Sequence, residues 1–118
     1  QMISCCLTYT IDFRKIKEFE DYCRKWFEII EKYGGLNNGV FLPSEGACDI
    51  ALWIFTFPSF AAYERYRVAI ETDPEVHEAW KWAEGIGSWS RFDRTFFRPM
   101  EPIATMPPTR ECLPDYKQ

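Results

Sequence analysis

The sequence predicts an α+β domain whose elements follow a ferredoxin-like β-α-β-β-α-β order, with an extra short helix before the last strand. Three observations support this prediction. Four segments are rich in β-branched and aromatic residues, helical apolar stripes separate them in the expected places, and turn-forming residues stand at most junctions. The 118 residues suit one domain, which we place at residues 2–99, followed by a proline-rich tail at 100–118.

The first strand and the first helix are predicted from composition and periodicity. The segment "MISCCLTYTI", residues 2–11, has no glycine or proline and is typical of a strand. Asp12 is a good N-cap for a helix over residues 15–33, which Gly34 and Gly35 end. The apolar faces of these elements comprise Ile3, Cys5, Leu7, Tyr9 and Ile11 in the strand and Ile16, Phe19, Cys23, Trp26, Ile30 and Tyr33 in the helix.

A β-hairpin is predicted next. Asn37 and Asn38 indicate a turn into a short strand at 39–42, and a loop of about five residues leads to a second strand at 47–57. This second strand carries large apolar side chains on both of its faces. Ile50, Leu52 and Ile54 point one way, and Ala51, Trp53 and Phe55 point the other. Helices of the same chain can cover one of these faces, and the pattern leaves open which one.

Two helices and a final strand complete the predicted domain. The first of these helices begins at Ser59, and Asp73 with Pro74 begins the extra helix. The last strand is predicted at 88–99. Its alternation places Phe92, Arg94, Phe96 and Arg98 on one side and Trp89 with Phe97 on the other. In the helix that begins at Ser59, the side chains expected to pack on the sheet are Phe60, Tyr63, Tyr66 and Ile70.

Composition and charge exclude several classes of partner. The net charge is −4, the pI is about 5 and lysines and arginines form no run, so we expect no nucleic-acid or membrane binding. No apolar segment approaches the ~20 residues of a membrane span, and no signal peptide is recognisable at the N-terminus. The five cysteines fit no metal or redox spacing. We expect reduced thiols and a cytoplasmic location.

The apolar sheet face that the helices leave uncovered predicts a homodimer. If several large apolar side chains stayed in water, the fold would lose several kcal/mol of hydrophobic stabilisation, at about 25 cal/mol per Å² of apolar surface. This loss is comparable to the whole stability of a small domain. A second copy packed face to face would cover these side chains. The alternative is that Trp53 and Phe55 lie near an edge and are covered by loops or by the tail.

The order and spacing of four segments resemble the NIPSNAP-like family of the dimeric α+β barrel superfamily. These segments are "LTYTIDFRKIKEFEDY", "YGGLNNGVFLPSEGACDIALWIFTFPSFAAYERYR", "TDPEVHEAW" and "SRFDRTFFRPM". The resemblance implies a dimer whose two sheets form a joint barrel. It implies little about activity, because the superfamily includes cofactor-free monooxygenases, isomerases, lactone-processing enzymes, haem-binding enzymes and members without known catalysis.

The candidate ligand-binding residues are polar or half-polar side chains of the predicted strands: Tyr9, Asp49, Trp53, Arg94 and Arg98. Arg94 could bind a carboxylate or phenolate, or it could pair with Asp49 or Glu45 or with the partner chain of the dimer. Asp49 could act as a general base or be an exposed residue at a strand end. Tyr9 could orient a substrate or be a core tyrosine. No catalytic residue is assigned.

His77 is the one histidine and the one candidate haem ligand. It lies near the start of a polar helix, with Glu75 and Glu78 close by in the sequence, so we expect it to be solvated. We also expect the protein to use no metal or cofactor. The favoured function is binding or conversion of a small apolar or aromatic molecule without a cofactor. The alternatives are a non-catalytic assembly or protein-interaction module and, less favoured, haem binding through His77.

Overall fold

The computed structural model describes residues 1–103, and the part of the predicted tail beyond Ile103 lies outside these residues. The strands are β1 (Ile3–Ile11), β2 (Leu36–Phe41), β3 (Ile50–Phe57) and β4 (Trp89–Phe97). The helices are α1 (Ile16–Lys32), which follows a 3₁₀ turn at Phe13–Lys15, α2 (Phe60–Ile70) and α3 (Pro74–Ile86). The predicted α+β class and ferredoxin-like order are confirmed.

The four strands form one antiparallel sheet in the order β2-β3-β1-β4. The helices pack on one face of the sheet, where alternate residues of the two central strands are buried. These residues are Ile3, Cys5, Leu7, Tyr9 and Ile11 in β1 and Ala51, Trp53, Phe55 and Phe57 in β3. The question that the pattern left open is thereby answered, because Trp53 and Phe55 lie under the helices.

The hairpin differs from its predicted bounds. Strand β2 begins at Leu36 and β3 begins at Ile50, so the loop covers residues 42–49 and is longer than predicted. Asn37 and Asn38 belong to the strand rather than to a turn, because tertiary hydrogen bonds hold their side chains. Nε1 of Trp53 donates to Oδ1 of Asn37 at 2.8 Å, and Oγ1 of Thr56 donates to Oδ1 of Asn38 at 2.6 Å.

The extra helix α3 spans 13 residues against 11 in α2, so it is not short. Asp73 caps it as predicted, and its Oδ1 accepts a hydrogen bond from the backbone N of Glu75 at 2.9 Å. The other carboxylate oxygen accepts bonds from Lys32 at 2.8 Å and from the hydroxyl of Tyr33. Asp73 therefore ties the end of α1 to the start of α3.

The sheet face opposite the helices, hereafter the open face, is covered by no described segment of the chain. Phe41, Ile50 and Phe97 are exposed there by 53%, 41% and 57%. Leu52 and Ile54 lie between them, half-buried. This is the uncovered apolar surface that the sequence predicts, although it is provided by the isoleucine face of β3 rather than by Trp53.

The described residues contain no helix with both the length and the apolar composition needed to cross a membrane. The four cysteines among them, Cys5, Cys6, Cys23 and Cys48, are free thiols.

Candidate functional site

A cavity of about 300 Å³ lies between the helices and the sheet face that they cover. Its wall is almost entirely aromatic. The lining residues are Leu7, Tyr9, Tyr22, Trp26, Trp53, Phe55, Tyr63, Tyr66, Arg67, Trp80, Trp89, Phe92 and Arg94. Trp80, Phe92 and Arg94 are exposed whereas Tyr9, Trp26 and Trp53 are buried, so the mouth lies between α3 and β4 and the floor is formed by the central strands.

The floor of the cavity is positioned by strand register. Leu7 of β1 stands opposite Trp53 of β3, and both point toward the helices. The hydrogen bond from the Trp53 indole to Asn37 fixes the rotation of the ring. Trp26 of α1 meets Trp53 edge-on, with ring centroids 6.4 Å apart. The floor is therefore preorganised by packing and by one partly buried hydrogen bond.

The β4 wall of the cavity contradicts the predicted alternation. Trp89 pairs with Ile11 and Arg91 with Thr10, so the register shifts by one residue between these two positions. This β-bulge places Trp89 on the same side as Phe92. Both rings contact Tyr9, with centroids at 5.4 Å and 5.7 Å, and the prediction that Trp89 faces away from Phe92 is therefore wrong.

Tyrosine hydroxyls provide the uncharged polar groups of the cavity. Burial is the main cause that raises the pKa of Tyr9, Tyr22, Tyr63 and Tyr66. All four therefore remain protonated at neutral pH and can donate hydrogen bonds. None of these hydroxyls forms a hydrogen bond to another residue within the described part of the chain, so they are available to a bound molecule.

Two arginines provide the charge of the cavity. Arg94 of β4 lies over the ring of Phe92, 5.5 Å from its centroid, and Arg67 of α2 is half-buried on the opposite wall. Within residues 1–103 neither guanidinium forms a salt bridge, so the predicted alternative of an Arg94 pair with Asp49 or Glu45 is not observed there.

One buried donor lacks a partner. Nε1 of Trp26 is shielded from solvent and forms no hydrogen bond with any described residue. It interacts with the Tyr22 hydroxyl and so opposes the rise in that residue's pKa, although the two groups fall outside ordinary hydrogen-bond geometry. Since Nε1 is shielded, the ring of Trp26 rather than its N–H forms part of the cavity wall.

Three of the five predicted ligand-binding residues, Tyr9, Trp53 and Arg94, line this cavity together. Asp49 does not line the cavity. It lies at one end of the central strands, where its backbone carbonyl accepts a hydrogen bond from the backbone N of Ile11 at 2.8 Å. Arg98 does not either; it lines a separate groove with Phe60 and Phe96 beyond the end of β4.

His77 lies outside the cavity. It is exposed, its Nε2 contacts the backbone oxygen of Glu71, and its ring lies 5.7 Å from that of Trp80. Among residues 1–103, no group of three or more histidine, cysteine, aspartate or glutamate side chains could hold a metal ion.

The family model for NIPSNAP matches residues 6–102, which is most of the chain. The chain belongs to the NIPSNAP family. The predicted family is thus confirmed, and no curated protein matches the chain.

Solved structures share the NIPSNAP fold of this chain. An uncharacterized NIPSNAP-like domain protein from Burkholderia xenovorans is 18% identical with a TM-score of 0.70, over 91% of this chain and 92% of that one. A NIPSNAP family protein of unknown function from Agrobacterium tumefaciens is 17% identical with a TM-score of 0.74, over 88% and 95%. A candidate antibiotic biosynthesis monooxygenase from Caulobacter crescentus is 14% identical with a TM-score of 0.65, over 85% and 91%. At these identities the likeness concerns the fold alone.

Sequence reasoning missed the helical half of the NIPSNAP cavity. Arg67 is the most consequential omission, since it stands four residues after Tyr63 and therefore on the same side of α2. Both residues line the cavity. An arginine within an otherwise aromatic helical stripe was the signal that could have identified it.

Proposed function

We propose that this NIPSNAP chain binds a small aromatic or apolar molecule in the cavity between its sheet and its helices, without a bound cofactor. The observation that carries the proposal is the cavity itself, about 300 Å³ in volume, with an aromatic wall and a few convergent polar groups. Ligand sites in proteins typically begin at about this volume and combine apolar walls with a small number of polar groups. A molecule of one or two rings suits this size.

The wall restricts the chemistry that could take place on such a molecule. None of the lining residues found within residues 1–103 is a carboxylate, an imidazole or a thiol, so the wall provides no ordinary general base. The available groups are neutral tyrosine hydroxyls and two guanidiniums, which can donate hydrogen bonds and stabilise negative charge. Binding is therefore the function we assign, and any conversion would depend on acidity of the ligand itself.

We also propose that two chains associate through the open face. Phe41, Ile50 and Phe97 are exposed there, and burying such side chains stabilises a complex by about 25 cal/mol per Å² of apolar surface. A shared flat face suits a two-fold dimer, since each copy presents the same patch. A cytoplasmic location is part of this proposal, because free thiols suit a reducing compartment.

Intrinsic fluorescence can test ligand binding, because four of the five tryptophans line the cavity. Titration with neutral one- and two-ring aromatics should quench or shift the emission and saturate at one site per chain. Leu7→Phe places a larger side chain in the cavity wall, which reduces the space for a ligand and should weaken binding. Leu52→Phe makes the same change on the open face and should not. No saturable response to any of these compounds, confirmed by calorimetry, would favour the non-catalytic interaction module instead.

A further inference from the structure

We infer that the ligand of this cavity is an aromatic anion, a planar molecule whose carboxylate or phenolate oxygen is bound between Arg94 at the mouth and Arg67 on the α2 wall. This inference rests on the proposed function and specifies the chemical class of the ligand. The first argument is the charge of the wall. The cavity is lined by two guanidiniums and by no carboxylate among the described residues, although the whole chain has a net charge of −4.

Both guanidiniums line the same cavity, and their two elements meet where Tyr63 of α2 contacts Phe96 of β4, with ring centroids 5.1 Å apart. The two guanidiniums interact electrostatically with Tyr63, Tyr66 and Cys5, lowering the pKa of each against the larger effect of burial. The guanidiniums of Arg67 and Arg94 repel each other, because both are positively charged and neither forms a salt bridge in the described part of the chain. A negatively charged group placed between them would relieve that repulsion and would accept charge-assisted hydrogen bonds.

Arginines outside the cavity are found both paired and unpaired. Arg91 pairs with Asp93 at 3.0 Å and Arg24 pairs with Asp21 and Glu20, whereas Arg65 and Arg98 form no salt bridge within residues 1–103. What distinguishes Arg67 and Arg94 is their position, because these two line the aromatic cavity, where a bound anion could reach both.

The floor of the cavity suits the body of such a ligand. Rings of Tyr9, Trp53 and Trp89 offer flat apolar surfaces for a planar molecule. The ring of Trp26 adds a further aromatic surface at the inner end of the cavity. The ligand would thus lie with its rings inward and its charge toward the two guanidiniums.

The experiment compares two probes of similar shape, 2-naphthoate and neutral 2-naphthalenemethanol, by isothermal titration calorimetry on the full chain. The acid should bind about tenfold more tightly or better, because a charge-assisted hydrogen bond contributes more than a neutral one. Arg67→Met and Arg94→Met should each reduce the affinity for the acid and leave that for the alcohol unchanged. Arg94→Lys should restore part of the preference, since it keeps the charge without the planar fork.

Matched controls are available on the same elements. Arg91→Met alters β4 on its opposite side, and Arg65→Met alters exposed α2 surface, so both should retain the preference for the acid. Circular dichroism and thermal unfolding establish that each variant is folded. Equal affinities for the two probes, or equal losses for both probes in Arg67→Met and Arg94→Met, would refute the inference while leaving the proposed function intact. If neither of the two probes binds, the proposed function itself is refuted.

Discussion

Gly35, immediately before β2, is the position where one added methyl group should be most damaging. A Cβ there would lie 2.8 Å from Cγ2 of Ile30 and 2.8 Å from Cζ of Phe57. Ile30 and Phe57 are fully buried, and the Phe57 ring stacks on Tyr66 with centroids 5.0 Å apart. Neither neighbour has free space, so Gly35→Ala must displace core side chains or the backbone between α1 and β2.

The expected cost follows from overpacking. Forcing an extra methyl group into a well-packed core costs about 1–3 kcal/mol, and we expect the upper part of that range because two side chains are approached at once. Urea unfolding followed by circular dichroism would measure it. The double variant with Phe57→Leu should show a smaller loss than the sum of the two single variants, because the shorter side chain removes one of the clashes.

Two other glycines serve as controls for Gly35. Gly34 has φ +87° and open space around its Cβ position, so Gly34→Ala should cost about 1–2 kcal/mol from backbone strain alone, without rescue by Phe57→Leu. Gly85 lies within α3 and also has open space, so Gly85→Ala should stabilise the protein by about 0.5–1 kcal/mol. Our account of the Gly35 packing would be refuted if Gly35→Ala changed the free energy of unfolding by less than 0.5 kcal/mol, about the size of an ordinary surface substitution.

Two further predictions concern partly buried polar contacts. The bonds from Lys32 and Tyr33 lower the pKa of Asp73 from 3.8 to about 2, so its contribution to stability is present above pH 4 and lost as the pH falls from about 4 to 2. Asp73→Asn keeps an N-cap side chain and should flatten the dependence of unfolding free energy on pH in that window; an unchanged slope would contradict the assignment. Asn37→Ala leaves the Trp53 indole N–H without its acceptor and should cost about 1–3 kcal/mol in urea unfolding. Asn37→Asp, which keeps an acceptor, should cost less, and equal losses would show that the hydrogen bond is not the cause.

Much of the fold was predictable because its strongest signals are local. The alternation in β1, the stripe of α1 and the Asp73 cap each depend on residues close in sequence, and the structure contains all three. The bounds of β2 were not predictable from the same signals. Asn37 and Asn38 favour a turn by themselves, and only hydrogen bonds from β3, distant in the chain, retain them in a strand.

The site was half predictable for a related reason. Tyr9, Trp53 and Arg94 were proposed as polar or half-polar side chains of predicted strands, and strand pairing brings all three to the face that the helices cover. Trp89 was assigned to the wrong face because a single bulge reverses that alternation, and pairing with β1 rather than local sequence determines the bulge. Arg67 was overlooked although it stands in the aromatic stripe of α2, because that stripe alone does not specify which strands the helix covers.

The cavity and the open face lie on opposite sides of one sheet, so the two proposed activities should be separable. Ile54 is half-buried on the open face, while Trp53 beside it points into the cavity. Ile54→Lys would place a charge in the proposed dimer contact and should shift sedimentation at micromolar concentration from dimer toward monomer.

The same variant should bind 2-naphthoate with unchanged affinity per chain, since no cavity residue is altered. Ile54→Val, which keeps an apolar side chain, should remain dimeric and bind equally well. If the lysine variant loses binding while it stays folded, the cavity needs the second chain for its shape, and the separation of the two faces argued here is wrong. If the unaltered protein sediments as a monomer, the open face has no role in self-association, and the binding proposal then rests on the single chain alone.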